Sequence, residues 1–199
     1  MGFGDEFRNA YGQGTAYRAF DQAARTRLAS TVPGYLLDLW EADGWASYRD
    51  GLLWFVDPHD FEPVVTAWRL PETVPLITVA RTAFGELYLL GSFPASDGTS
   101  PDSVLALNPH IAQYSFVGPY AEEFLTSTIA WDRYLKTLHE SDVRRARKDV
   151  GPLSWDEMYG YEPALALGGS GTPDTVRRVN IFNHHLLLSQ LGPVKRRDF

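Results

Sequence analysis

The sequence predicts an α+β fold: an antiparallel sheet with flanking helices in an N-terminal lobe, then a mostly helical C-terminal lobe with a short strand. Three observations carry this. Apolar residues recur at helical intervals near both ends of the chain. Between them, three pairs of short aliphatic and aromatic runs are each joined by a tight turn, which makes neighbouring strands antiparallel. After Gly118-Pro119 the spacing returns to threes and fours. The natural partition is therefore 16–117 and 118–192, with flexible ends at 1–15 and 193–199.

Taken in order, Tyr17, Phe20, Ala24 and Leu28 predict a first amphipathic helix. A second starts at Ser30 or Thr31 with Pro33 in its first turn, carries Leu36, Leu37, Leu39 and Trp40, and stops at Gly44. "WASYRDGLLWFV" reads as a hairpin turning at Asp50-Gly51. Asp57-Pro58 opens a short helix that contains Pro63. "LITVARTAFGELYLLG" turns near Gly85, and "SVLALNPHIAQYSFVG" turns at Asn108-Pro109. Phe124, Leu125, Ile129, Trp131, Leu135 and Leu138 mark the helical second lobe, which "ALAL" interrupts as a short strand before a last helix through "FNHHLLLSQL".

With 199 residues the chain can bury roughly 70% of its unfolded surface without a covalent staple. It contains no cysteine, which excludes disulfides and thiolate metal sites. No apolar run reaches the ~20 residues of a membrane span, and "MGFGDEFRNAYGQG" lacks a secretion-signal layout, so a cytoplasmic protein is expected. The net charge of −7 is uneven: up to Val117 there are 7 basic and 14 acidic side chains, and from Gly118 onward 11 of each. An acidic first segment argues against direct nucleic-acid binding and suits a basic protein partner.

"YEPALALGGSGTPDTV" looks like a phosphate loop and fails each test for one. No lysine follows the glycines as a Walker loop requires, Asp174 stands where a dinucleotide fingerprint needs its third glycine, and Thr172 breaks a nucleophile elbow around Ser170. A turn with positive φ is the expectation. His59, His110, His139, His184 and His185 contain no metalloprotease pair, and adjacent His184 and His185 diverge by about 100° on a helix; surface or capping roles and no metal are expected. Asp156 and Glu157 are an acid/base pair by type only, with no nucleophile nearby. The run "RRARK" at 144–148 reads as a solvated helix face.

The stretch from Asp38 to Glu62 holds seven carboxylates (Asp38, Glu41, Asp43, Asp50, Asp57, Asp60, Glu62) against Arg49 alone, interleaved with aromatic rings. It predicts an anionic, ring-studded face, with Asp38, Glu41, Asp43, Trp45, Asp57, His59, Asp60 and Glu62 as its contact residues.

"GPLSWDEMYGYEPALALGG" (151–169) and "FNHHLLLSQLG" (182–192) resemble the C-terminal domain of type VI secretion immunity proteins, a family that protects bacteria from a DNase effector. "VPGYLLDLWEADGWASYRDGLLWFVDPHDFEPVVTAW" and "RTAFGELYLLG" resemble a GAD-like domain. The family motif falls on Gly151, Leu153, Asp156, Glu157, Pro163, Leu165, Leu167, Gly168 and Gly169, where it implies a structural role. The resemblance implies a cytosolic, non-enzymatic antitoxin that binds a cognate toxin, a nuclease, and needs no cofactor. The GAD-like name also implies a competing reading, an accessory domain that binds RNA or a ligand. A hydrolase using Asp156 and Glu157 is the third.

Overall fold

The three predicted hairpins pair edge to edge in one sheet. In the computed structural model, which describes residues 5–72, 74–94 and 102–197, seven strands run antiparallel in chain order. They are β1 (Thr15–Arg18), β2 (Trp45–Tyr48), β3 (Leu53–Phe55), β4 (Ile77–Thr82), β5 (Leu87–Ser92), β6 (Asp102–Asn108) and β7 (Gln113–Gly118). A separate hairpin pairs β8 (Glu157–Tyr161) with β9 (Val176–Asn180). β10 (Lys195–Arg196) returns to lie parallel to β7 and covers the edge that β7 would otherwise expose. The expected flexible C-terminal end is therefore paired at 195–196.

Both faces of the sheet are buried, and strand alternation divides the core in two. Tyr88, Leu90, Val104 and Ala106 point to one face. They meet α1 (Asp5–Tyr11), α2 (Gln22–Leu28), α3 (Gly34–Asp43), α5 (Ala121–Thr126) and α7 (Glu140–Val150) through Phe7, Leu28, Leu36, Phe124 and Val143. Leu87, Leu89, Leu105 and Leu107 point to the other. They meet α4 (Pro58–Trp68) and α8 (Ile181–Ser189) through Phe61, Val64, Trp68, Ile181 and Leu188. Helices on both sides explain why "LYLL" and "VLAL" read as unbroken apolar runs and not as a half-solvated alternation.

Several boundaries differ from the sequence-based reading. Tyr17 lies in β1 and not in a helix, because residues 15–18 pair with β2; the helix starts only after Asp21, whose side chain caps Ala24 N–H at 2.8 Å. Residues 5–11, expected to be flexible, form α1. Phe7 is fully buried, and Tyr11 donates to the Ile129 carbonyl at 2.8 Å. Two apolar residues one turn apart were too faint a signal for a helix this short. α3 has Pro33 at its N-cap with no side-chain capping bond, and Gly44 ends it at φ +71°. "ALAL" does not form the strand: Leu165–Leu167 make one turn of 3-10 helix, and the strand of this region is β8. The chain between α5 and α7 is broken into short turns, among them α6 (Asp132–Leu135).

Candidate functional site

The acidic stretch is real in sequence and largely neutralised in space. Asp43 is sealed inside, its side chain 0% exposed. It accepts hydrogen bonds from Arg8 at 2.5 Å, the Tyr48 hydroxyl at 2.6 Å and Gln13 Nε2 at 2.6 Å. Burial pushes the Asp43 carboxyl up, but those three donors outweigh it and hold the group below the ordinary carboxylate range. Asp57, 6% exposed, is the N-cap of α4. It accepts from His59 N–H at 3.1 Å and sits between Arg27 at 3.0 Å and Arg18 at 3.4 Å. Arg18 also takes Asp60 at 2.9 Å. Trp45 is buried beneath Arg18, whose guanidinium stands 5.5 Å from one ring of the indole. Asp43, Asp57 and Trp45 are therefore structural, and Asp60 is largely so. The seven carboxylates of 38–62 therefore do not lie together on one exposed face.

The counter-charges come from Arg8, Arg18, Arg25 and Arg27, all outside the 38–62 window that suggested the face. Arg8 comes from α1, Arg18 from β1, and Arg25 and Arg27 from α2. Arg25 clasps Asp38 at 3.3 Å and Glu41 at 2.8 Å, yet both of these carboxylates stay more than half exposed. His59 and Glu62 form an exposed pair at 3.2 Å on α4, away from them in the chain and not part of a shared cleft.

What remains open is a cleft of about 580 Å³ between the start of α3 and the start of α5. Tyr35, Asp38, Asp102, Tyr120 and Glu122 line it. Tyr120 is 61% exposed, and among the described residues Glu122 forms no ion pair. Burial raises the Tyr35 hydroxyl and keeps it neutral, with Asp102 and Glu122 adding to the shift; their combined field is negative here. Asp102, Tyr120 and Glu122 lie far along the chain from Asp38, so no local window of sequence reveals the cluster.

The second feature is the β4–β5 turn, whose backbone is gripped from three sides. The Ala83 carbonyl accepts from Tyr159 N–H at 2.9 Å. The Phe84 carbonyl accepts from His110 Nε2 and the Gly85 carbonyl from His185 Nε2, each at 2.9 Å. Gly85 has φ +79°, and a Cβ there would stand 2.5 Å from the Met158 side chain. Beside the turn, Arg81 is completely buried with its guanidinium 4.3 Å from the Trp54 ring, donating to the Trp155 carbonyl at 3.0 Å. Burial lowers Arg81 to about 9, which still leaves it charged at neutral pH. His110, His184 and His185 were expected at the surface or at caps and are buried; burial lowers His110 to about 4 and His185 to about 3. Among the described residues no cluster of side chains is arranged to hold a metal ion.

The remaining motifs resolve into scaffolding. Gly168 has φ +86°, and a Cβ on Gly169 would lie 1.9 Å from the Pro163 carbonyl oxygen, so the tetrad is a tight turn pressed onto its own chain. Glu157 accepts from Ser154 N–H at 2.8 Å, and Asp156 from Asn180 Nδ2 at 3.3 Å while its carbonyl takes Ile181 N–H at 2.8 Å. Gly151 ends α7 at φ +94°, and Leu153 packs against both core clusters. Pro163 follows a cis peptide bond, Leu165 covers Gly171, and Leu167 is exposed. Arg144, Arg145, Arg147 and Lys148 lie on the solvated side of α7. No helix is long and apolar enough to cross a membrane among the described residues.

Comparison with known proteins places these features. Residues 4–96 match the GAD-like domain, and residues 121–192 match the C-terminal domain of the T6SS immunity protein Tdi1. The crystal structure of Atu4351 from Agrobacterium tumefaciens has the same fold, with a TM-score of 0.75 over 96% of this chain and 90% of that one, at 18% identity. No curated protein sequence matches.

Proposed function

Because this chain belongs to the type VI secretion immunity proteins, joining a GAD-like domain to a Tdi1-type C-terminal domain, we propose that it neutralises a nuclease toxin in the cytosol by binding it, without catalysis of its own. The pairing of the two domain matches in one chain carries this reading. Two physical observations support the finer points. Nucleases gather cations in the cleft that receives phosphate, and the cleft bounded by Asp38, Asp102 and Glu122 offers the opposite field beside the exposed ring of Tyr120. Asp156 and Glu157, the pair that a hydrolase would use, are held by Ser154 and Asn180 in scaffold roles.

The interface we propose keeps Asp38 and Glu41 from the sequence-based set and adds Asp102, Tyr120 and Glu122. Asp57, Asp60 and Trp45 then support the lobe from within. The test is co-expression with a type VI nuclease toxin, reading survival and chromosomal integrity, followed by calorimetry on the purified pair. Survival with intact DNA and a one-to-one complex is the expected result. Degraded DNA in the presence of a tight complex would remove the nuclease-inhibitor reading, and absence of any complex would remove binding.

A further inference from the structure

Between the β4–β7 end of the sheet and the segment 134–139 lies a cavity of about 290 Å³ that none of the roles above uses. Glu86 contributes to its lining. The backbone of Glu86 is fixed to Thr82, its N–H donating to Oγ1 at 3.1 Å and its carbonyl accepting from Thr82 N–H at 2.9 Å. Its carboxyl has no such anchor: no hydrogen bond or ion pair reaches it among the described residues. Surrounding protein withdraws it in part from bulk water, and it lines the cavity. Elsewhere in this lobe buried carboxylates are met by arginine, as Asp43 and Asp57 are. A carboxyl drawn away from water without an ion pair is a costly arrangement for a fold to keep, and Arg197, which lines the same cavity, forms no ion pair with it.

The rest of the lining says what is missing. Phe84, Tyr114 and Tyr134 contribute aromatic surface, Ile111 and Leu138 apolar surface, and Asn108, Gln113, Ser115 and Thr137 polar atoms. A carboxylate in a cavity that aromatic rings also line is what a cation on an aliphatic stem requires, with charge pairing and ring quadrupoles acting together. We propose that this cavity is a binding site for an ammonium or guanidinium group, with Glu86 as its counter-charge. The cation has two sources of the same chemistry: a free small amine or guanidine, or a lysine or arginine side chain of the toxin. The second source rests on the function proposed above and the first does not.

Burial alone raises Glu86 to about 7, so a cation gains its partner as the group ionises. The other ionisable groups around the cavity and Glu86 are Tyr88, Tyr114, Tyr134, His110, His139 and Arg197. Burial keeps Tyr88 and Tyr134 neutral and lowers His110 to about 4. Glu86→Gln leaves all six in place and therefore isolates the carboxyl.

The experiment titrates the full chain with n-butylammonium and ethylguanidinium, and with butyrate as the control of opposite charge, following amide shifts of residues 84–86 and 134–138. Binding of the cations should strengthen about tenfold from pH 6 to pH 8 and fall at least about tenfold in Glu86→Gln. Thr137→Trp, an exposed substitution at the mouth, should weaken it without touching the core. A parallel arm measures toxin affinity of Glu86→Gln at pH 8. Weaker toxin binding identifies the source as a partner side chain, and unchanged toxin binding with lost butylammonium binding identifies a free small cation. Cations that bind Glu86→Gln as well as the wild type, or wild-type protein that binds no cation while toxin affinity is also unchanged, would overturn the proposal.

Discussion

The indole N–H of Trp68 donates to Nδ1 of His185 across 3.0 Å, joining the end of α4 to α8. Because Nδ1 accepts, the ring proton sits on Nε2, where it is donated to the Gly85 carbonyl at 2.9 Å. Both nitrogens are thus committed with the ring neutral, and a second proton would break the bond from Trp68. Burial lowers His185 to about 3 and His110 to about 4. The unfolded chain binds protons at both sites near pH 6.5, so it holds more protons than the folded one between there and the folded values. Stability contributed by these histidines is fully present above about pH 6.5 and is lost as pH falls through that window. Denaturant melts should show Trp68→Phe flattening the acid-side slope, and ¹⁵N shifts should keep His185 in the neutral Nε2–H form at pH 5. A protonated His185 at pH 6 would refute this account.

Glu86 works in the opposite sense. Its folded value is about 7 and its ordinary value 4.5, so the folded state binds the extra proton between them and loses stability as pH rises through that range. Glu86→Gln should therefore raise the melting temperature at pH 8, by an increment worth about 3 kcal/mol at most, and leave it nearly unchanged at pH 5. An equal effect at both pH values would mean that the carboxyl is solvated.

Arg81 fastens the sheet to the chain that follows α7, since its guanidinium covers Trp54 and reaches the carbonyls of Ser154 and Trp155. Removal strands those carbonyls and bares a ring face in a site closed to bulk solvent. Arg81→Ala should cost on the order of 3–5 kcal/mol. Arg81→Lys keeps the charge without the planar fork and should cost about half as much. Urea melts distinguish the two, and a loss below about 1 kcal/mol in Arg81→Ala would show that the latch is dispensable.

Two neighbouring glycines offer a graded test of the turn at 168–171. Gly168 needs φ +86° but has open space around its Cα, so Gly168→Ala should cost about 1 kcal/mol, from backbone conformation alone. An alanine at 169 would drive its Cβ against the Pro163 carbonyl, and Gly169→Ala should cost several times more or displace the 3-10 turn. Equal melting temperatures for the two variants would contradict the tight approach.

The order of hairpins was legible in the sequence because each turn carries its own residues: Asp50-Gly51, Gly85 and Asn108-Pro109 sit where β2–β3, β4–β5 and β6–β7 reverse. The β8–β9 hairpin was not, because its strands are separated by the cis-proline segment and the glycine turn, and β9 reads "VRRVN" with two exposed arginines in its middle. Charge was read worst. A count along residues 38–62 sees acids, whereas their partners Arg8, Arg18, Arg25 and Arg27 arrive through β1 and the helices beside it. The acids that stay open at the α3–α5 cleft come from segments about sixty to eighty residues apart, a separation that only packing closes. Glu86 announces itself no better, being one acid after the glycine of a hairpin turn.

Asp38 and Glu122 on one side, and Asp57 on the other, separate interface from scaffold. Asp38→Lys with Glu122→Lys reverses charge at the open cleft and leaves caps and core alone. The double variant should melt within about 1 kcal/mol of wild type, slow association with the toxin about tenfold or more at low salt, and flatten its dependence on ionic strength. Asp57→Lys instead removes the cap of α4 and sets a third cation against Arg18 and Arg27. It should destabilise the protein by several kcal/mol and impair protection only through loss of folded chain. Stopped-flow association across a salt series, set beside thermal melts, reads both effects. If the cleft variant binds as fast as wild type at every ionic strength, electrostatic steering by this surface is wrong, whatever the stability of Asp57→Lys.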